Sequence, residues 1–339
     1  MKLFEKNNIL IARFSSIGDV VLTTPLLRAI KEQVPDSKIT YIATKPMACL
    51  LEGNPFIDKL FLFDKSDSNR QIQILKRDIL RANNSQKYNI AVDLQNNLRS
   101  KIMLSGLYEN KISYNKYRLY KLSLVHLKWL IRKPKHVVDR YFETIALLNV
   151  LNKNYKTEIF VHNKEASKQK NEKLIFGIAH GAQHFTKQWL PEYFAELMKL
   201  ISSQYQAQFY LFGNKNEIEN SNIITNLFNV NVENFTGKLS LSDTINKISE
   251  CDYFISNDTG LMHIASALQK PIVAIFGSTV PELGFTPYGV KNIISQVSLN
   301  CRPCSHIGRS NCPKKHFNCM KKITPHQVFS DLQNLINIQ

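Results

Sequence analysis

The chain has 339 residues, 44% of them hydrophobic and 21% charged, with 44 Lys plus Arg against 27 Asp plus Glu and a formal net charge of +17. Hydrophobic cores stop growing below this length, so two folded domains are expected, and no Pro/Gly/Ser tract or low-complexity block marks a disordered region. No run approaches the ~20 consecutive apolar residues of a membrane span, and residues 9–12 are too few for the apolar core of a signal peptide, so a cytoplasmic protein with at most peripheral membrane contact is expected.

Short apolar runs rich in β-formers at residues 9–14, 38–43, 59–63 and 89–94 predict strands. Helices fill the gaps. The clearest covers residues 20–33, with Leu22, Leu26, Leu27 and Ile30 on one face and Pro35 beyond its end. The second half repeats this grammar, with strands at 174–179, 208–212, 253–256 and 272–276 and helices starting after Pro191, near Ser242 and at Thr259. Strands alternating with helices in both halves predict an α/β protein of two doubly wound, mostly parallel sheets. The polar stretch 152–171 reads as the boundary, giving an N-terminal domain of residues 1–160 and a C-terminal domain of residues 161–339.

Ligands of open α/β sheets bind beyond the carboxyl ends of the strands, so chemistry is expected at strand-to-helix turns. In the first turn, Ser15, Ser16, Ile17, Gly18 and Asp19 place a carboxylate at a helix N-terminus. It suits either a helix cap or a base that takes a proton from a hydroxyl within reach. The turn from His180 to Trp189 is polar and basic, and its Lys187 is either an exposed loop lysine or the cation for a leaving diphosphate. The run Ser256, Asn257, Asp258, Thr259, Gly260, Leu261, Met262, His263 closes a strand and opens a helix. Free amides at residues 259–261 would form an anion site there, with Gly260 permitting close approach, whereas His263 alone reads as a packed or capping residue. The Asp-Thr-Gly triplet occurs once, without the second carboxylate or all-β context of an aspartic protease. Neither G-x-G-x-x-G after a strand nor G-x-x-x-x-G-K-[ST] is present, so dinucleotide and P-loop readings lose their main support.

Two further segments are unusual. Residues 111–135 hold Lys116, Arg118, Lys121, Lys128, Arg132 and Lys133, interleaved with Tyr114, Tyr117, Tyr120 and Trp129 and free of acids. This is either a solvated helix face or a surface for anionic lipid or a charged acceptor. Net charge fits nucleic acid too, but no recognition motif accompanies it. Near the end, Cys301, Cys304, Cys312 and Cys319 stand among His306 and His316. Reduced thiols and a structural zinc are the alternatives; the first pair has a knuckle-like gap and the second is spaced more widely than in a standard ribbon.

Taken together, these turns resemble glycosyltransferase family 9, the lipopolysaccharide heptosyltransferases, over nearly the whole chain. The carriers are Phe14-Ser15-Ser16-Ile17-Gly18-Asp19-Val20 with Thr24-Pro25-Leu26, then Lys187-Gln188-Trp189-Leu190-Pro191, Leu211-Phe212-Gly213, and Asn257-Asp258-Thr259-Gly260-Leu261-Met262-His263. The resemblance implies the GT-B fold, in which two Rossmann-like domains face across a cleft, the N-terminal one on the acceptor side and the C-terminal one holding a nucleotide-sugar donor. It implies inverting, metal-independent transfer from ADP-heptose to a lipid-linked lipopolysaccharide inner-core acceptor, with no cofactor required. Asp19 matches the family's proposed general base and Lys187 the lysine that stabilises the donor phosphates. Asp258, Thr259, Gly260, Leu261 and His263 match the donor-holding segment, and Glu217 a carboxylate that contacts the nucleoside.

Ala182 and Gln183 stand where some relatives have threonines, so backbone amides or Gln183 are expected to substitute in the phosphate contacts. Ser16, Gly18, Arg118 and Lys121 are expected on the acceptor side, facing an anionic inner membrane surface, and a monomer is expected. The late cysteines lie outside the family pattern. Two other readings stay open: a GT-B transferase using another nucleotide sugar for a different surface glycan, and a nucleotide- or glycan-binding module without turnover.

Overall fold

The structure is a computed structural model that describes residues 8–128, 135–161 and 173–337. The chain divides into two compact units, one of Met1–Lys116 with Val137–His162 and one of Tyr117–His136 with Asn163–Gln339.

In the first unit, β1 (Asn8–Ala12), β2 (Lys38–Thr44), β3 (Lys59–Phe63), β4 (Tyr88–Asp93) and β5 (Tyr108–Ser113) form a parallel sheet in the order β3-β2-β1-β4-β5. Central β1 reads as a continuous apolar run because both faces of a parallel sheet are covered. The covering helices include α1 (Ile17–Val21), α2 (Thr24–Gln33), α3 (Asn69–Ala82) and α4 (Leu98–Leu104). The single helix predicted over residues 20–33 is instead α1 followed by α2. Pro25 has no N–H to offer the Val21 carbonyl, and the Thr24 hydroxyl donates to that carbonyl at 2.8 Å while the Thr23 hydroxyl donates to Val20 O at 2.7 Å. The chain therefore turns at Leu22–Thr23 and starts a new helix.

The basic segment divides as well. Its first residues belong to β5, an edge strand whose Glu109, Asn110 and Lys111 are exposed, as suits an unpaired sheet edge. After it come α5 (Arg118–His126) and α6 (Val137–Thr144). Composition placed all of residues 111–135 in the first domain, whereas α5 clusters with the second unit. Leu124 is buried there with Val280 and Leu283, beside Tyr120 and Phe285, and the Tyr120 hydroxyl donates to Glu282 O at 3.3 Å. Trp129, Arg132 and Lys133 lie outside the described residues, as does the second half of the stretch read as the domain boundary.

The second unit holds β6 (Leu174–Ala179), β7 (Ala207–Phe212), β8 (Val232–Asn234), β9 (Tyr253–Asn257), β10 (Ile272–Ile275) and β11 (Asn292–Ser295), parallel in the order β11-β10-β9-β6-β7-β8. Its helices are α7 (Pro191–Ser202), α8 (Ile218–Leu227), α9 (Leu241–Glu250), α10 (Gly260–Ala267), α11 (Asn318–Lys321) and α12 (Pro325–Asn337). Short β8 and β11 escape the apolar-run criterion. In each sheet the strand order reverses at the centre, β1 beside β4 and β6 beside β9, and the turns named above leave the carboxyl ends of β1, β6 and β9. Among the described residues no helix is long and apolar enough to cross a membrane.

Candidate functional site

At the end of β1 the chain carries Arg13, 8% exposed, directly before the turn. Its Nη1 donates to Leu94 O at 2.6 Å, which fixes the guanidinium, and its Nη2 meets Asp19 Oδ2 at 2.7 Å. Asp19 is the third residue of α1, and Ser16 is the N-cap. Ser16 donates to the same Oδ2 from its hydroxyl at 2.8 Å and from its amide at 3.3 Å. Asp19 thus completes a cap without being the cap itself. Three donors converge on Oδ2, and among the described residues no donor reaches Oδ1, although the side chain keeps 20% of its exposure. Burial pushes the Asp19 carboxyl up, but the Arg13 charge and the Ser16 bonds outweigh it and hold the group below its usual range.

In the second unit Lys187 ends the short turn Phe185–Lys187. Trp189 secures that turn: its amide donates to Asn257 Oδ1 at 3.1 Å and its buried indole to Ile323 O at 2.8 Å. Lys187 Nζ lies 2.7 Å from Asp258 Oδ2, which also accepts from the Thr279 hydroxyl at 2.7 Å. Asp258 stands two residues before α10, and Thr259 is its N-cap. The lysine is thereby tied to the loop that presents the free amides of α10, a pairing of cation and helix N-terminus suited to an anionic group.

A third cluster surrounds His180, at the end of β6. Its Nε2 lies 3.0 Å from Thr236 Oγ1, its Nδ1 is buried with no partner among the described residues, and burial pushes its pKa down to about 4, so the ring is neutral. Asn257 Nδ2 donates to the His180 carbonyl at 2.7 Å and links this turn to the Asp258 loop. Glu217, 7% exposed, accepts from the Asn214 amide at 2.7 Å, and burial pushes its carboxyl up against that bond. Gly181 is required beside it, because a Cβ there would lie 1.9 Å from Glu217 Cδ.

The structure therefore joins Lys187 to Asp258 directly, and Glu217 to the same strand ends through Gly181 and Asn257. Gln183 is exposed, Thr259, Gly260 and Leu261 are half-buried, and His263 is buried. Ser16 and Gly18 form the Asp19 turn in the first unit; Arg118 and Lys121 lie on α5, in the second. Of the two alternatives for Cys301, Cys304, Cys312 and Cys319, the structural zinc is not supported: among the described residues no three His, Cys, Asp or Glu side chains are arranged to hold a metal, and none of the four forms a disulfide. Sequence reasoning missed Arg13, His180, Thr279 and the role of Asn257. Arg13 alone carried a signal, as a charge closing a buried apolar strand just before a turn.

Two doubly wound parallel-sheet units, with candidate groups at the carboxyl ends of their strands, define an α/β protein of two Rossmann-like units. A crystal structure of a glycosyl transferase family 9 protein from Veillonella parvula DSM 2008 has the same fold, with a TM-score of 0.77 at 21% identity over 97% of each chain. The structure of E. coli heptosyltransferase WaaC with ADP-2-deoxy-2-fluoro heptose superimposes with a TM-score of 0.71 at 18% identity, over 96% of this chain and 99% of that one. In sequence the chain is 26% identical over 325 residues to lipooligosaccharide heptosyltransferase 2 of Campylobacter jejuni serotype O:2, covering 94% of this chain and 95% of the relative. Residues 77–315 match the model of glycosyltransferase family 9 (heptosyltransferase), and the chain belongs to that family.

Proposed function

We propose that the protein transfers a heptose from ADP-heptose to the inner core of a lipopolysaccharide or lipooligosaccharide, with inversion at the anomeric carbon and without a metal ion. The observation that carries this reading is the asymmetry of Asp19, whose Oδ2 takes three donors while its Oδ1 takes none among the described residues. An ionised carboxylate with one oxygen held and the other unengaged suits a general base.

In this reading Oδ1 takes the proton of an acceptor hydroxyl as that oxygen bonds to the anomeric carbon. The bond from that carbon to the β-phosphate oxygen breaks, and its electron pair leaves with ADP. Lys187 and the first amides of α10 meet the charge that develops there, the work a metal would otherwise do. Glu217 takes the nucleoside. Support for the donor comes from family membership and from the ADP-sugar held by the structural relative named above.

We also assign α5 to an anionic lipid surface. Leu119 and Leu122 are 84% and 51% exposed on a helix that carries Arg118 and Lys121, while Leu124 turns inward. This is the pattern of a helix lying in a membrane interface.

Calorimetry with ADP, UDP, GDP and CMP tests the donor assignment. ADP is expected to bind selectively, the Lys187→Ala variant to lose roughly 10–100-fold in ADP affinity, and transfer to persist in EDTA. Preference for another nucleotide would retire the heptose donor while leaving the fold.

A further inference from the structure

The cysteine-rich end has no part in the chemistry above, yet it surrounds the Lys187–Asp258 pair with backbone bonds. Arg302 stands between Cys301 and Cys304. Its Nη2 donates to the carbonyls of Phe276 and Thr279, both at 2.9 Å, its Nε donates to Gly277 O, and its Nη1 to Val297 O. A third contact from Nη2 reaches Gln296 Oε1 at 3.1 Å. Three carbonyls of the loop that follows β10 therefore converge on one planar guanidinium. That fork is a geometry an ammonium cannot reproduce.

Two more bonds close the arrangement. The Cys304 amide donates to Ser278 O at 3.3 Å, and the Ser278 amide donates to Thr186 O at 3.3 Å. The main chain of Arg309, five residues on, is bonded twice to Thr186: its amide donates to the Thr186 hydroxyl at 2.8 Å, and its carbonyl accepts from the Thr186 amide at 3.1 Å. The segment thus holds both the residue before Lys187 and the loop bearing Thr279. Thr279 is 2% exposed, and its hydroxyl is spent on the Asp258 oxygen that also faces Lys187.

We propose that Arg302 is a positioning residue for the donor diphosphate: by gathering the carbonyls of Phe276, Gly277 and Thr279 it fixes the Thr279 hydroxyl on Asp258, and through Asp258 it sets where the Lys187 ammonium stands. The proposal rests on the reading of Lys187 as the diphosphate cation. Asp258 shares one oxygen between a hydroxyl and an ammonium. Withdrawing the hydroxyl leaves that oxygen to Lys187 alone, so the lysine is held more tightly to Asp258 and is less available to a phosphate. Arg302→Lys, which retains charge but not the fork, and Thr279→Val, which removes only the hydroxyl, should therefore act in the same direction.

The test is the affinity of Arg302→Lys, Thr279→Val and the double variant for ADP and for adenosine, beside Lys187→Ala. Each single variant is expected to weaken ADP about tenfold while retaining adenosine affinity, because only the phosphate contacts are disturbed. The double variant should lose no more than the worse single one, the sign of two residues acting through one contact. Equal losses for adenosine and ADP, or additive losses, would reduce Arg302 to a structural role and overturn the proposal. If Arg302→Lys does not fold, Thr279→Val decides alone: unchanged ADP affinity overturns the chain of contacts. A Lys187→Ala variant that binds ADP like the wild type would remove the reading of Lys187, and this proposal with it. A loss confined to Lys187→Ala would remove this proposal only.

Discussion

Arg13 and Asp19 form an ion pair at 2.7 Å, with the arginine almost buried at the end of β1 and the carboxylate in the first turn of α1. One side chain so holds another across the turn that the resemblance singles out. Tyr41 and Tyr141, both buried, stand near this pair, as does Tyr114.

Replacing Arg13 by Met should raise the Asp19 pKa, since burial then acts with only the Ser16 bonds against it. The carboxylate must be ionised to act as a base, so the acid limb of the kcat–pH profile should move to higher pH. Stability should fall as well, by up to about 3 kcal/mol, less than for a fully buried pair because Asp19 keeps 20% of its exposure. A pH–rate profile and thermal unfolding of the variant check both expectations. An unmoved acid limb would mean that Asp19 does not govern it.

His180 gives a stability dependence of definite sign. Its folded pKa of about 4 lies below the ordinary value of 6.5, so the unfolded chain takes up a proton as pH falls through 6.5 while the folded one does not until about 4. Stability should be full above pH 6.5 and decline by roughly 3 kcal/mol across that window. Denaturant unfolding at several pH values would show the decline, and His180→Gln should flatten it. An identical slope in the variant would assign the decline to other groups.

On α5, the double reversal Arg118→Glu with Lys121→Glu should weaken binding to phosphatidylglycerol vesicles by tenfold or more, at ~1 kcal/mol for each basic residue near the surface. Leu119→Ser with Leu122→Ser should weaken binding to the same vesicles through lost apolar contact. Neither pair should change ADP affinity. Cosedimentation, with phosphatidylcholine vesicles as the uncharged control, reads the effect; full retention on the anionic vesicles would discard the membrane assignment.

The central strands and the turns after β1, β6 and β9 were legible because buried parallel strands write continuous apolar runs and their carboxyl ends write Gly, Asp and Lys at helix starts. The break at Pro25 was visible as a residue but was overridden by the apolar face formed by Leu22, Leu26, Leu27 and Ile30. Thr279 and Arg302 were not legible as site residues, and Arg13 only as a charge closing an apolar strand, because each acts on a partner distant in sequence, Asp19 for Arg13 and Asp258 for Thr279. Such pairings exist only once the strand ends are assembled. The split of residues 111–135 between β5 and α5 was hidden for a related reason: one unbroken basic composition covers an edge strand and a helix that packs on a different unit.

The most direct test is transfer from ADP-heptose to a heptose-deficient core acceptor by Asp19→Asn, with ADP affinity measured on the same preparation. The account predicts a fall in kcat of about 10²–10⁴-fold with ADP affinity unchanged, as expected when a base is removed from one unit and the donor is held in the other. Transfer at the wild-type rate would contradict it, leaving Asp19 as the partner of Arg13 and Ser16 in the α1 turn and nothing more.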